Sequence, residues 1–144
     1  MCCKIDRKAS LEVRDKVIAN RRKTILVYKK LYFDSFYEKL ETPYRGIRVK
    51  AGDLIKSKCR LNKGSLYKDN RNVGDGGVHV FLNEPIAAYG GDIYLSLRVP
   101  IEDFLGCDAN KVTAVVRSLK IPTNIDKYVI CKGIRVPASL KDKK

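Results

Sequence analysis

The chain has 144 residues, of which 44% are hydrophobic and 32% charged, and 30 Lys+Arg against 16 Asp+Glu give a formal charge of +14. That length and apolar share suit one folded domain and argue against wholesale disorder. The charge excludes an acidic surface and points to phosphate-rich partners. No run approaches the ~18–20 consecutive apolar residues of a membrane-spanning helix, and Met1-Cys2-Cys3-Lys4-Ile5-Asp6 lacks the apolar run of a signal peptide. The expectation is a soluble intracellular protein with no membrane partner.

In chain order, residues 10–23 read as an amphipathic helix. Ser10 is the expected N-cap, Glu12 suits the positive end of the helix dipole, and Arg21, Arg22 and Lys23 suit the negative end. Thr24-Ile25-Leu26-Val27-Tyr28 is β-branched and nearly all apolar, which predicts a strand buried on both faces. Tyr32 to Leu40 has no clean period and fits a short helix or an irregular arm. Thr42-Pro43-Tyr44-Arg45-Gly46 predicts a turn, followed by a short strand Ile47-Arg48-Val49.

Residues 50–77 are polar and glycine-rich and are expected to form a long functional loop region. Val78 to Leu82 predicts a strand, with Asn83 capping a short helix from Glu84 to Tyr89 closed by Gly90-Gly91. From Ile93 to Val99 the pattern alternates strictly, a half-buried strand with Ile93, Leu95, Leu97 and Val99 inward. Pro100 to Gly106 suggests a helical turn, and Lys111–Lys120 and Lys127–Ile134 suggest two further strands before a Lys-rich tail at 141–144. The order implies a single α+β domain over 1–144, with the N-terminal helix packed on a mainly antiparallel twisted sheet. Its central strands are expected at 24–29, 78–82, 93–99 and 111–118.

Five cysteines at 2, 3, 59, 107 and 131 include no Cys-x-x-Cys, and His79 is the single histidine, so neither a disulfide framework nor a zinc site is expected. Cys107 and Cys131 read as small buried hydrophobes, and Cys2-Cys3 as a free thiol end. Gly74-Asp75-Gly76-Gly77 lacks the lysine and Ser/Thr of a phosphate loop. Glu102-Asp103 just after Pro100 reads as a stabiliser of a helical turn. No cofactor is implied, and the residues lean toward a binding module rather than an enzyme.

The charge is concentrated. Residues 1–72 hold 20 Lys+Arg and 8 Asp+Glu, whereas residues 73–144 hold 10 and 8. Between Tyr44 and Arg71 lie Arg45, Arg48, Lys50, Lys56, Lys58, Arg60, Lys63 and Lys68, interleaved with Tyr44 and Tyr67. Arg presents a planar fork to phosphate oxygens, Lys a point charge, and Tyr a face on which a base can stack. The competing reading is a solvated basic loop that confers solubility. His79, between Val78 and Val80, points opposite to them, either as a half-buried side chain held by one hydrogen bond or toward a ligand. The candidate ligand-binding set is therefore Tyr44, Arg45, Arg48, Lys58, Arg60, Lys63, Tyr67, His79 and Tyr89, with no catalytic or metal-binding residue in it.

Cys3-Lys4-Ile5-Asp6-Arg7-Lys8-Ala9-Ser10-Leu11, Val27-Tyr28-Lys29, Pro43-Tyr44-Arg45-Gly46 and Gly77-Val78-His79-Val80-Phe81-Leu82 occur in that order. Over residues 2–120 the chain thereby resembles a family of small uncharacterised bacteriophage proteins, akin to viral domains with a Gly-Ile-His-x-Phe-Leu signature before a short helix. The resemblance implies an accessory protein in the cytoplasm of an infected bacterium, acting against host defence, and assigns no catalytic residue. A weaker resemblance links the His79 strand, Ala87-Ala88-Tyr89-Gly90 and Tyr94–Pro100 to ADP-ribosyltransferase-like folds. Those enzymes carry a late glutamate, and here Glu102 is the last one. The expected ligand is nucleic acid, with three alternatives: a small phosphorylated or cyclic nucleotide signal, an acidic host-protein surface, and a transferase substrate.

Overall fold

The computed structural model describes residues 3–34, 39–42, 47–74, 76–85 and 92–130. A two-residue strand, β1 (Cys3–Lys4), leads into the helix α1 (Arg7–Ala19). The helix starts a turn before the expected position because Ser10 is not its cap. Asp6 occupies that place, and the Ser10 hydroxyl, fully buried, donates to the Asp6 carbonyl at 2.7 Å and accepts the Cys107 N–H at 2.9 Å. The helix also ends earlier than expected. Arg21 adopts a left-handed φ of 56°, its N–H bonds to Ile18 O, and the Arg22 N–H bonds to Val17 O. This closes the last turn as a Schellman motif with arginine in the place glycine usually takes.

The following strands are β2 (Thr24–Asp34), β3 (Lys39–Glu41), β4 (Arg48–Val49), β5 (Leu54–Lys56), β6 (Asn72–Val73), β7 (Val78–Phe81), β8 (Asp92–Pro100), β9 (Phe104–Cys107), β10 (Thr113–Val116) and β11 (Ser118–Lys120). The principal sheet has seven strands in the order β4-β3-β2-β7-β10-β9, with β8 on β2, and every pairing within it is antiparallel. Two small ribbons, β1-β6 and β5-β11, accompany it. The chain is α+β, and all four expected central strands lie in the principal sheet.

Several local expectations are corrected. β2 is not buried on both faces: Ile25, Val27, Lys29, Leu31 and Phe33 are buried, while Leu26 and Tyr32 are exposed. Within the expected arm at 32–40 the described residues are the end of β2 and the start of β3, paired as Phe33 opposite Leu40, and 35–38 lie outside the described residues. The 50–77 stretch contains β5 and β6. Helical turn 100–106 shrinks to a 3-10 turn at Ile101–Asp103, and β9 follows, buried throughout. The single strand expected at 111–120 breaks at Arg117 into β10 and β11, because Arg117 donates its N–H to Asp103 O and its carbonyl accepts the Ser57 N–H. Ile125–Tyr128 is a 3-10 turn rather than strand, although Val129 bridges to Leu95. Glu84 and Pro85 are not helical, and the rest of the expected 84–89 helix lies outside the described residues, as does 131–144.

Two cores result. The larger lies on the inward face of the sheet and includes Ile25, Val27, Leu31, Ile93, Leu95, Val80, Phe104, Ile121 and Ile125. The smaller gathers Cys3, Ile5, Tyr67, Val73, Leu105 and Val115, with Cys59 and Leu61 packed against it. Cys3 is thus a buried wall of the second core and not part of an open thiol end, and burial pushes its thiol pKa up. The β9 margin is covered: Tyr67 N–H bonds to Leu105 O and Asp6 N–H to Cys107 O, each at 2.9 Å. Gly106 (φ 149°) permits the fit, since a Cβ there would come within 2.9 Å of Ile5 Cδ1.

Ser10→Ala should leave the Cys107 N–H buried and unpaired, lowering unfolding free energy in urea by about 1–3 kcal/mol. A loss below ~0.5 kcal/mol, the scale of an ordinary surface change, would contradict the role assigned to that hydroxyl.

Candidate functional site

Directly opposed residues of an antiparallel pair share a face, so the strand registers map the outward side of the sheet. Tyr32 faces Asp92 on one side and Glu41 on the other, and Glu41 faces Arg48, giving one row across four strands. Lys30 faces Tyr94, Tyr28 faces Ser96 and Phe81, and Leu26 faces Arg98. The opposite parity carries the core residues, so the assignment is consistent along both long strands.

On this outward face Tyr32 is 43% and Leu26 36% exposed. Phe81 and Tyr94 meet edge to face, centroids 6.2 Å apart at 62°. The Lys30 ammonium stands 3.3 Å from the Asp92 carboxylate, and Arg98 is exposed. Sequence reading did not select these residues, although the even-numbered positions of 26–32 and 92–98 carried the signal as an aromatic and charged stripe opposite an apolar one.

At the other end of the sheet the same face is covered by the smaller core, where two of the expected ligand residues reside. Tyr67 is 5% exposed, and its hydroxyl donates to Gly76 O. The Arg71 guanidinium lies 4.9 Å from the ring centroid. Burial raises the Tyr67 phenol well above its usual range. The ring is a structural wall and has no free face to offer a base, which corrects its expected stacking role. His79 points opposite to Val78 and Val80 as expected, and its Nε2–H donates to Val73 O at 2.8 Å. Burial lowers the imidazole pKa, so the neutral ring tethers β7 to β6.

The basic residues of the described segment behave differently. From Leu54 to Arg60 exposure alternates: Lys56, Lys58 and Arg60 face outward, while Ile55 packs on the larger core and Cys59 on the smaller. Lys120 faces outward opposite Leu54, diagonal to Lys56 across the β5-β11 ribbon. Arg48 and Lys50 are exposed on either side of buried Val49. Lys63 pairs with Glu102 at 3.4 Å, but both side chains are more than half exposed and the pair is solvent-screened. Arg48 sits on β4, whereas Lys58, Arg60 and Lys63 lie on the segment after β5, so the expected cations that are described come from different elements. Tyr44, Arg45 and Tyr89 lie outside the described residues.

One charged group is unexpectedly inside. Lys29 shares the inward parity of Val27 and Leu31, is 7% exposed, and donates from Nζ to His79 O at 2.8 Å. Burial pushes its pKa down to about 8. Among the described residues no three of His, Cys, Asp and Glu are grouped as a metal would require, and no helix is long and apolar enough to cross a membrane. No family model matches the chain, and no curated protein or solved structure is significantly similar to it.

Because folded Lys29 holds its proton less tightly than the ordinary 10.5, its contribution to stability rises as pH climbs from about 8 to 10.5. Cys107, pushed up to about 11 from 9.0, acts in the opposite sense over its own window, so the comparison with Lys29→Met isolates the lysine. Stability of the wild type relative to Lys29→Met should improve by about 3 kcal/mol between pH 8 and 10.5. A pH-independent difference in urea midpoints would contradict the burial of that ammonium.

Proposed function

We propose that the protein is a non-enzymatic nucleic-acid-binding protein that takes the phosphate backbone on the exposed cations of residues 48–60. The observation that carries this reading is the alternating exposure of Lys56, Lys58 and Arg60, which begins in β5 and continues past its end, with Lys120 diagonal to Lys56. Lys56 closes β5, and Lys58 and Arg60 follow it at alternate positions with exposed side chains, so the charge is spread along the chain. None of the three makes an ion pair within 4.0 Å among the described residues. Their charge is available to an external anion, and releasing the counterions of a polyanion is the main source of affinity for such a surface.

The concentration of positive charge in residues 1–72 supports a polymer over a small nucleotide, which would engage fewer cations. The Gly77-Val78-His79-Val80-Phe81-Leu82 resemblance fits a bacteriophage accessory protein working in the cytoplasm of its host.

Replacing Lys56, Lys58 and Arg60 together by alanine should weaken binding of a labelled oligonucleotide and reduce the slope of log K against log salt by about 2–3. The thermal midpoint should change little, because the three side chains are exposed. An unchanged slope and affinity would place the anion elsewhere.

A further inference from the structure

The basic row accounts for phosphate, but it leaves unexplained why the outward face of the two longest strands carries aromatic rings. β2 and β8 pair over nine positions, from Thr24 opposite Pro100 to Tyr32 opposite Asp92. Outward side chains there are Tyr28, Lys30 and Tyr32 on β2 and Tyr94 and Arg98 on β8, with Phe81 of β7 beside Tyr28. Diagonal neighbours across an antiparallel pair lie ~7–8 Å apart. Tyr28, Tyr94 and Tyr32 therefore zigzag along the seam, each ring one diagonal step from the next. A face meant only for solvent is cheaply built from Thr, Ser and charged residues, yet Tyr32, in the last pair of the ladder, is left 43% exposed.

We propose that this open face binds single-stranded nucleic acid, with unpaired bases stacking on Tyr28, Tyr32 and Tyr94 and the backbone meeting Lys30 and Arg98. The proposal rests on the nucleic-acid reading above and narrows it to single strands. Three features favour that occupant. Base–aromatic stacking needs an exposed π-face on both partners, which a duplex hides within its own stack. Among the residues whose side chains are described, Lys30, Arg98 and Arg48 share the face, with Asp92 beside Lys30 and Glu41 opposite Arg48. A phosphate reaching Lys30 competes with Asp92 at 3.3 Å on a partly exposed pair. Finally, the row Asp92–Tyr32–Glu41–Arg48 makes the aromatic face continuous with the first cation of the proposed backbone track.

The chain contains no tryptophan, so its fluorescence comes from eight tyrosines, three of them on this face, and the Tyr32 variants tie a change in signal to the face. The full chain is titrated with an oligothymidylate of about twelve nucleotides, within the ~4–16 that single-strand-binding folds cover. Blunt duplex of equal length and polyglutamate are titrated in parallel, each at low and moderate salt. The expected result is tighter binding and tyrosine quenching by the single strand. Tyr32→Ala should bind it at least ~fivefold more weakly with an unchanged salt slope, stacking being worth ~1–3 kcal/mol per base. Tyr32→Phe should bind like the wild type because it keeps the ring.

Absence of quenching, or wild-type affinity in Tyr32→Ala, overturns the aromatic platform while leaving the basic row standing. Equal loss in Tyr32→Ala and Tyr32→Phe assigns the hydroxyl in place of stacking and overturns it as well. So does preference for duplex. Tighter binding of polyglutamate reassigns the face to an acidic protein partner, and failure of both oligonucleotides to bind at low salt overturns this proposal together with the nucleic-acid reading.

Discussion

The eleven-residue strand Thr24–Asp34 has to satisfy two environments at once, because successive side chains leave it on opposite sides. Its odd positions, Ile25, Val27, Leu31 and Phe33, pack against Ile93, Leu95, Leu97 and Val99 and build the larger core. Its even positions face outward and compose the aromatic and basic surface. A register slip of one residue against β8 would exchange the two sets, exposing the core and burying Lys30 and Tyr32. The nine-position ladder with β8 fixes that register, and the sheet on either side is laid down from it. Lys29 is the exception: it takes an inward place, and its ammonium donates to the His79 carbonyl.

The outward face is divided by what lies on it. Over β9 and β10 the β1-β6 ribbon and the 59–67 segment cover Val115 and Leu105, forming the smaller core around Tyr67 and Val73. That cover uses His79 and Tyr67 as structural ties through the Val73 and Gly76 carbonyls. It also determines where charge can go: with Cys59 turned toward the smaller core, the alternation of the chain sends Lys58 and Arg60 to solvent. Over β2 and β8, Leu26, Tyr32 and Arg98 remain exposed. The basic row and the aromatic floor are thus two consequences of the same period-two geometry.

Much of the architecture was legible from periodicity. Ile93 to Val99 alternates in sequence and in burial alike, and the strands near 24, 78 and 113 are where β-branched runs place them. What sequence could not supply was tertiary use of individual residues. Ser10 has the chemistry of a helix cap, but its hydroxyl serves a backbone N–H ninety-seven residues away. Arg117 interrupts an apparently continuous strand because its backbone bonds to Asp103 and Ser57. In the candidate site, the excess of charge in 45–63 was readable from composition and its exposed members followed. Tyr67 appeared equivalent to an exposed tyrosine because interleaving with cations does not reveal which face of the chain it occupies. The β2 stripe was overlooked because Leu26 and Tyr28 read as apolar and suggested burial on both sides, whereas parity sends them outward.

The most direct test of the two-faced sheet as a binding surface is ultraviolet cross-linking of the full chain to a bromodeoxyuridine-substituted single strand, followed by peptide mapping. Cross-links in the peptides holding Tyr28, Tyr32 and Tyr94 are the predicted result. Cross-links confined to α1 or to the segment around Tyr67, with none on β2 or β8, would contradict it.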